Sequence, residues 1–397
     1  MQRKKWPSLL EVFIVSTKLG LTSFGGPIAH LGYFHEEYIR RKKWLDERSY
    51  ADLVSLCQFL PGPASSQVGI GIGIMRAGLP GGIAAWLGFT LPSALALILF
   101  ALFFQNVDPA NTGWIHGLKI VAVAVVAQAI LGMGQKLTPD RARITLAISM
   151  AVMTLIWPSA FSHVALIILA GAAGIVLYRN RDVKNTSGEA LMRVPVRRST
   201  AIVHLSLFFI LLFLLPLLHH LTSLHWLAVF DSFYRAGSLV FGGGHVVLPL
   251  LERELIPSGW MSREAFLAGY GAAQAVPGPL FTFASYAGAV MGGWFGAGVA
   301  TIGIFLPAFL LVAGTLPFWD AIRRKPRIQG AMNGVNAAVV GILLAAFYDP
   351  IWVSSIRTPA DFSLAAILFA MLAFWNLPPW IVVLTGALGG TLMQWLA

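Results

Sequence analysis

Phe24-Gly25-Gly26-Pro27 lies near the start of the chain, and Phe241-Gly242-Gly243-Gly244 repeats it 217 residues later. At the same offset, Lys18 and Arg235 each lie six residues before the phenylalanine. Five further matches follow with a drift of two residues in register: Glu36 with Glu252, Trp44 with Trp260, Gln58 with Gln274, Pro61-Gly62-Pro63 with Pro277-Gly278-Pro279, and Leu91-Pro92 with Leu306-Pro307. Matches that keep the same order predict an internal duplication.

The composition is that of a membrane protein. Of the 397 residues, 57% are hydrophobic and 11% are charged, and the mean hydropathy is +0.74, whereas globular domains average about 25% charged residues. Several apolar stretches approach or exceed the ~20 residues that cross a bilayer. The net charge of +11 comes from basic residues in short loops, as expected on the cytosolic side of a membrane, so no nucleic-acid partner is predicted. The lone Cys57 excludes an intramolecular disulfide.

Glycine and proline interrupt four of the helical stretches, because they remove conformational restraint and a backbone donor. In the first half the stretch 8–39 is broken at Phe24 to Pro27, and the stretch 47–76 is broken at Pro61-Gly62-Pro63. Their counterparts in the second half are 224–255 and 262–292. Unbroken spans are predicted at 81–104, 114–134, 143–157, 161–178, 200–219, 293–318, 329–348, 362–375 and 379–396. Four parts follow from this: a first transmembrane repeat 1–178, a basic cytoplasmic linker 179–199, an unpaired helix 200–219 and a second repeat 220–397.

Equivalent loops of the two halves differ in charge. The loop before the first Pro-Gly-Pro contains five cations, Arg40, Arg41, Lys42, Lys43 and Arg48, whereas its counterpart has only Arg253 and Arg263 among three glutamates. Since cytosolic loops are enriched in Lys and Arg, the halves are predicted to be antiparallel. The fold class is therefore an all-α polytopic membrane protein with two inverted-topology repeats and broken, re-entrant helices. A full crossing by the first broken stretch stays an alternative, although it would place Arg3, Lys4 and Lys5 outside.

Inverted repeats with interrupted helices are typical of transporters that bind their substrate near the bilayer midplane. A helix that begins after a break directs free N–H groups and its positive dipole end toward that site, which suits an anion. Six glycines of the breaks are predicted to provide backbone donors: Gly25, Gly26, Gly62, Gly242, Gly243 and Gly278. Lys18 and Arg235 are predicted to provide charge, because ionisable residues inside apolar helices are functional candidates. The alternative is that both cations extend to an interface or pair with Glu11 and Asp231.

Four polar side chains beside the breaks complete the candidate site. His30 and His245 are interpreted either as substrate contacts or proton-coupling groups, or as structural hydrogen-bonding residues. Gln58 and Gln274 either donate to an oxyanion or cap a helix across the break. Glu36 and Glu252 are interpreted as helix-end charges near the surface. No metal-ligand spacing, cofactor motif or catalytic constellation stands out in the sequence, so no metal, cofactor or enzymatic activity is predicted.

Several of these motifs resemble one known family. Phe24-Gly25-Gly26-Pro27-Ile28-Ala29-His30, Trp44-Leu45, Gln58-Phe59-Leu60-Pro61-Gly62-Pro63 and Leu91-Pro92-Ser93 are similar to the amino half of the chromate ion transporters. The stretches Phe241-Gly242-Gly243-Gly244-His245, Leu248-Pro249 and Pro277-Gly278-Pro279 are similar to the carboxyl half. The resemblance covers essentially the whole chain, as in the two-domain members. It implies chromate efflux across the bacterial cytoplasmic membrane, with sulfate as a competitor or counter-substrate.

Other functions are left open by the sequence. The same fold could carry sulfate or another oxyanion, the protein could be an anion channel, or it could be a membrane-embedded enzyme acting on an anionic lipid or a sugar phosphate. The predicted partners are chromate and the lipid bilayer, with a homodimer left open.

Overall fold

The computed structural model describes residues 5–104, 113–157, 160–178, 195–222, 224–241, 244–319 and 325–396. Throughout these residues the regular secondary structure is helical, so the predicted all-α class is confirmed. Most of the linker 179–199 and the junction at Pro158 lie outside the described residues.

Eight helices make up the first half and the segment that follows it. They are α1 Lys5–Thr22, α2 Gly26–Phe34, α3 Glu47–Phe59, α4 Ala64–Phe104, α5 Gly113–Leu137, α6 Arg141–Ile156, α7 Ala160–Leu177 and α8 Arg198–Leu221. A π-helical turn, His35–Arg41, continues α2. The breaks predicted at Phe24 to Pro27 and at Pro61-Gly62-Pro63 are therefore confirmed.

Seven helices make up the second half. They are α9 His225–Leu239, α10 Val247–Leu255, α11 Arg263–Ala273, α12 Phe283–Thr315, α13 Pro326–Ala346, α14 Pro359–Ala373 and α15 Pro379–Leu396. Short 3-10 turns, Gly244–Val246 and Leu280–Thr282, precede α10 and α12, and a π-helical turn, Phe347–Trp352, follows α13. The breaks predicted in this half lie between α9 and α10 and between α11 and α12.

Six stretches of the described helices are long and apolar enough to cross a membrane. They are Ala64–Phe103, Gly113–Leu137, Arg198–Leu221, Leu280–Phe318, Arg327–Ser355 and Pro379–Leu396. Two shorter apolar helices, Ala165–Leu177 and Pro359–Ala373, accompany them. The protein is a polytopic membrane protein, as its composition predicts.

The second broken stretch of each half is fused to the span that follows it. The sequence predicts separate helices at 65–76 and 81–104, but the structure has one kinked helix, α4, whose backbone is non-helical at Ala77 and Gly78. Gly78 has φ of 71°, a left-handed conformation that glycine adopts without steric cost. The two arms fold back on each other so closely that a Cβ at Gly73 would overlap the carbonyl oxygen of Gly81.

Helix α12 has the same shape as α4. It is kinked at Gly292 and Gly293, where Gly293 has φ of 58°, and a Cβ at Gly288 would overlap the carbonyl oxygen of Gly296. Helix α1 packs against α4, and α9 packs against α12. The two kinked helices also contact each other, for example through the rings of Trp86 and Phe305 at 5.9 Å, and so form the centre of the molecule.

The last helices of each half pack mainly against the other half. Helix α5 packs against α14 and α15, while α13 packs against α6 and α7. Small residues permit both contacts, since a Cβ at Gly117 of α5 would overlap the carbonyl oxygen of Gly386, and one at Gly334 of α13 would overlap that of Ala170. The halves are thus interlocked rather than placed side by side. Helix α8 lies at the periphery, with only 17% of its apolar window buried.

Candidate functional site

Two backbone hydrogen bonds join the breaks of the two halves reciprocally. The Gly62 N–H donates to the carbonyl oxygen of Val240 at 2.6 Å, and the Gly278 N–H donates to that of Ser23 at 2.8 Å. Glycine is the only residue of each Pro-Gly-Pro that has a backbone N–H, and its φ of +117° or +95° favours glycine. Each Pro-Gly-Pro therefore satisfies a carbonyl at the end of the first helix of the other half.

Buried polar side chains surround the break of the first half. His30 on α2 is 1% exposed, and its Nδ1 lies 3.2 Å from the hydroxyl of Ser65, at the start of α4. Its ring packs edge-on against Phe89 on the second arm of α4, with centroids 5.5 Å apart. Gln67, fully buried, donates from Nε2 to the carbonyl oxygen of Pro61 at 2.7 Å. The fold thus brings α2 and both arms of α4 to one polar region.

Five atoms in this region are buried and have no hydrogen-bond partner among the described residues. They are Ser23 Oγ, His30 Nε2, Ser66 Oγ, Gln67 Oε1 and Thr90 Oγ1. We call Ser23, His30, Ser66, Gln67 and Thr90 the polar cluster. A buried polar atom without a partner costs about 1–3 kcal/mol, so a concentration of them beside a helix break indicates a ligand or water site. Hydroxyl groups and an imidazole N–H are donors that suit an oxyanion.

The polar cluster is continuous with the break of the second half. A Cβ at Gly278 would lie 3.0 Å from the hydroxyl of Ser93 and 3.3 Å from the carbonyl oxygen of Phe89. Ser93 and Phe89 belong to the second arm of α4, which also carries Thr90. The region is therefore built by both halves.

The predicted glutamines differ in their surroundings. Gln274 is 7% exposed at the end of α11, and its Nε2 has no hydrogen-bond partner among the described residues. Gln58 is exposed at the end of α3. Helix α3 presents Leu56 and Cys57 to the interior, which turns Gln58 away from the core. The two glutamines correspond in sequence but differ in burial.

The other predicted residues of the breaks are only partly described. Gly25 and Gly26 have φ of +93° and +78°, and α2 begins at Gly26 without a side-chain cap. Gly242 and Gly243 lie outside the described residues. His245 belongs to the turn Gly244–Val246.

Lys18 and Arg235 each bind a carboxylate at the same place in the two halves. Lys18 Nζ lies 2.7 Å from Glu37 Oε2, and Arg235 binds Glu254 through hydrogen bonds of 2.7 and 3.0 Å. Glu37 and Glu254 are 217 residues apart, like the two cations. Sequence reasoning missed these two acids, although a comparison at the constant offset of 217 would have found them.

The alternative ion-pair partners are found in one half only. Asp231 does contact Arg235, at 3.1 Å. Glu11 instead pairs with Lys42 at 3.3 Å and with Arg76 at 3.2 Å. The packing of α1 against α2 and α4 decides this, because it brings residues distant in sequence closer to Glu11 than its neighbour on the same helix.

A third membrane cation was not singled out by the sequence reasoning. Lys119 lies in α5 and is 9% exposed. No ion pair within 4.0 Å involves it in the described part of the chain, and it interacts with Glu264 and Arg357 at longer range. The signal was available, since a lysine within an apolar helix is itself a functional candidate.

The described residues contain no group of three or more His, Cys, Asp or Glu side chains placed to hold a metal ion. The chemistry available at the breaks is therefore hydrogen bonding and charge, which suits recognition of an anion.

The chain matches one protein family over most of its length. The family, described as chromate transporter, matches residues 10–175 and 227–391. The two matched stretches begin 217 residues apart, which is the offset that relates Lys18 to Arg235. No solved structure matches the chain.

Individual relatives are similar at low identity but over long alignments. A chromate transport protein of Pseudomonas aeruginosa is 28% identical over 98% of this chain and 92% of its own. A probable chromate transport protein of Synechococcus elongatus is 28% identical over 85% and 84%. An uncharacterised transporter of Methanocaldococcus jannaschii is 25% identical over 87% and 85%.

Proposed function

The chain belongs to the chromate transporter family, and from that premise we propose that it exports chromate from the cytoplasm by alternating access. It is a multi-pass protein of the bacterial inner membrane. The observation that carries the proposal is the family match to both halves, together with relatives named for chromate transport.

Chromate binds, in this proposal, where the breaks of the two halves meet. The polar cluster provides neutral donors, and Gln274 adds an amide from the second half. Gly62 and Gly278 already donate across the halves, so in this conformation they connect the breaks. Gly25, Gly26, Gly242 and Gly243 are the glycines left to offer backbone donors at the starts of the following segments.

Lys18 and Arg235 attract the oxyanion and bind it during the transport cycle. Both are neutralised by carboxylates in this conformation, so an oxyanion must displace a carboxylate to reach either cation. Such an exchange couples substrate binding to a rearrangement of α1 against α2, or of α9 against α10. Alternating access requires a rearrangement of this kind, in which binding favours one conformation over another.

The membrane potential is sufficient to drive export. Moving a dianion out of a cell with an inside-negative potential of about 100 mV releases about 4.6 kcal/mol. At 1.4 kcal/mol per decade this maintains an outward gradient on the order of a thousandfold. Two inverted halves, as the loop charges predict, would give the site equivalent access from both sides.

The test is flux of labelled chromate and sulfate into proteoliposomes under an imposed potential. We expect potential-driven chromate movement that sulfate inhibits and that is absent from protein-free liposomes. Carrier-mediated transport also predicts exchange of labelled for unlabelled chromate. Movement of sulfate but not chromate would keep the transporter and refute the substrate, and turnover far above carrier rates without exchange would indicate a channel.

A further inference from the structure

The second half contains a group of ionisable side chains around Arg235. Glu254 on α10 binds the guanidinium through two hydrogen bonds, of 2.7 and 3.0 Å, and Asp231, one turn earlier on α9, binds it at 3.1 Å. His219, near the end of α8, lies with Nδ1 3.6 Å from Asp231 Oδ2. We call Asp231, Arg235, Glu254 and His219 the Asp231 cluster.

Asp231 is the member that has no counterpart in the first half. Lys18 and Glu37 correspond to Arg235 and Glu254, but the position 217 residues before Asp231 is Ile14. With a neutral histidine, two carboxylates face one guanidinium, so the Asp231 cluster has one negative charge in excess. The first half has no such excess, since Glu37 contacts both Lys18 and, at 3.5 Å, Arg41.

The surroundings of Asp231 do not compensate the extra charge. Asp231 is 0% exposed, and its Oδ1 has no hydrogen-bond partner among the described residues. The neighbouring hydroxyl of Ser232 donates to Glu254 instead, at 3.0 Å. Helix α12, which packs against α9, has no acidic or basic side chain. A buried carboxylate oxygen without a donor disfavours the ionised form, because burial penalises charge.

His219 connects Asp231 to the surface. Its side chain is 36% exposed, and its ring stacks on that of His220 with centroids 5.3 Å apart. Histidine exchanges protons in the physiological pH range. A proton can therefore reach the buried carboxylate through a group already in contact with it.

An oxyanion that binds Arg235 must replace one of its carboxylates. Glu254 occupies both terminal nitrogens, and Asp231 accepts from Nε, so no edge of the guanidinium is vacant. A dianion beside two ionised carboxylates is repelled by both. Protonation of Asp231 removes one competitor for the guanidinium and one repelling charge, so it favours oxyanion binding.

We propose that the pair Asp231 and His219 takes up one proton when the oxyanion binds Arg235, and that the proton is carried with the oxyanion. This inference rests on the proposed function and adds a proton as a co-transported ligand. The charge moved per chromate then falls from two to one. Export stays downhill along the membrane potential, but it becomes dependent on the pH gradient.

Thermodynamic measurements in proteoliposomes distinguish the two stoichiometries without reference to rates. For one net charge, the equilibrium chromate ratio across the membrane changes tenfold per about 60 mV, and for a bare dianion tenfold per about 30 mV. With one proton, a pH gradient of one unit at zero potential shifts the ratio about tenfold toward the alkaline side. Sulfate is measured in parallel, because chromate itself takes up protons near neutral pH.

Two variants test the assignment to Asp231. Asp231→Asn should transport with the slope of the bare dianion and lose the response to pH. Glu252→Gln, which removes an acid from the same helix as Glu254 without touching Arg235, should keep the wild-type slope and response. Readings of the wild type alone keep the test independent of whether Asp231→Asn inserts.

Three outcomes would overturn the proposal. A wild-type slope of tenfold per about 30 mV without a pH response would refute the proton while leaving the transport function intact. An unaltered slope and pH response in Asp231→Asn would place the proton elsewhere. If neither chromate nor sulfate accumulates under any gradient, the proposed function fails, and the inference fails with it.

Discussion

Lys18 and Arg235 are membrane cations held by carboxylates, which makes them exchangeable anion sites rather than permanently vacant ones. Glu37 is 7% exposed, so a carboxylate left without Lys18 would be a buried, unpaired charge. The same holds for Glu254 and Asp231 without Arg235. Each cation thus has a structural role in the resting conformation and a proposed role in binding.

Replacing either cation should abolish chromate transport while the protein still inserts. In Lys18→Ala or Arg235→Ala the oxyanion loses a charge-assisted hydrogen bond of about 1.5–3 kcal/mol, which corresponds to a loss of roughly 10- to 100-fold. The measurement is chromate flux in vesicles, normalised to the inserted protein.

Lys136→Ala, at an exposed position near the end of α5, is the matched control and should transport normally. Lys18→Arg and Arg235→Lys retain the charge and should keep part of the activity. Normal transport by both alanine variants would refute the charge-pair hypothesis.

The kinked helices α4 and α12 are the elements that position the breaks. Their arms fold back because glycines stand where the backbones approach each other, at Gly73 with Gly81 and at Gly288 with Gly296. Each kink also places the Pro-Gly-Pro of its half against the other half. The geometry of the candidate site therefore depends on residues that are not themselves ligands.

Gly73→Ala should destabilise the protein by about 1–3 kcal/mol, because the added methyl group overlaps backbone atoms of Gly81 that cannot move independently. Gly132→Ala, in α5, is the control, since a Cβ there meets no atom within 4 Å. That change should stabilise the helix by roughly 0.5–1 kcal/mol.

The measurement is the thermal unfolding midpoint of both variants in detergent. A midpoint for Gly73→Ala that equals or exceeds that of the wild type would contradict the close approach of the arms.

At the scale of the whole molecule, the two halves are interlocked through α5 and α13 and joined by the reciprocal hydrogen bonds of Gly62 and Gly278. Neither half can therefore be expected to keep its site without the other. What the loop charges add is a predicted direction, with the second half inverted relative to the first.

Cysteine accessibility tests this inversion. In a Cys57→Ala background, Lys43→Cys and Lys325→Cys should react with an impermeant maleimide only after the cells are permeabilised. Ser258→Cys and Arg357→Cys should react in intact cells. All four positions are exposed in the structure, so a lack of reaction reports sidedness rather than burial. Reaction of Lys43→Cys and Ser258→Cys from the same side would contradict the inverted arrangement.

The sequence by itself determined the helical class, the four breaks and the correspondence between the halves. These features depend on local properties: apolar length sets the spans, and glycine and proline set the breaks whatever surrounds them. The repeated offset then placed Lys18 opposite Arg235 in the plan of the protein. The family resemblance rested on the same local motifs.

Only the tertiary structure decided which polar groups meet. It paired Lys18 with Glu37 rather than Glu11, left Gln58 exposed while burying Gln274, and gathered the polar cluster from α1, α2 and both arms of α4. Hydroxyl residues such as Ser66 and Thr90 gave no signal in the sequence, because serine and threonine are common in membrane helices. Their importance comes from burial without a partner, and burial depends on helix packing between residues far apart in the chain.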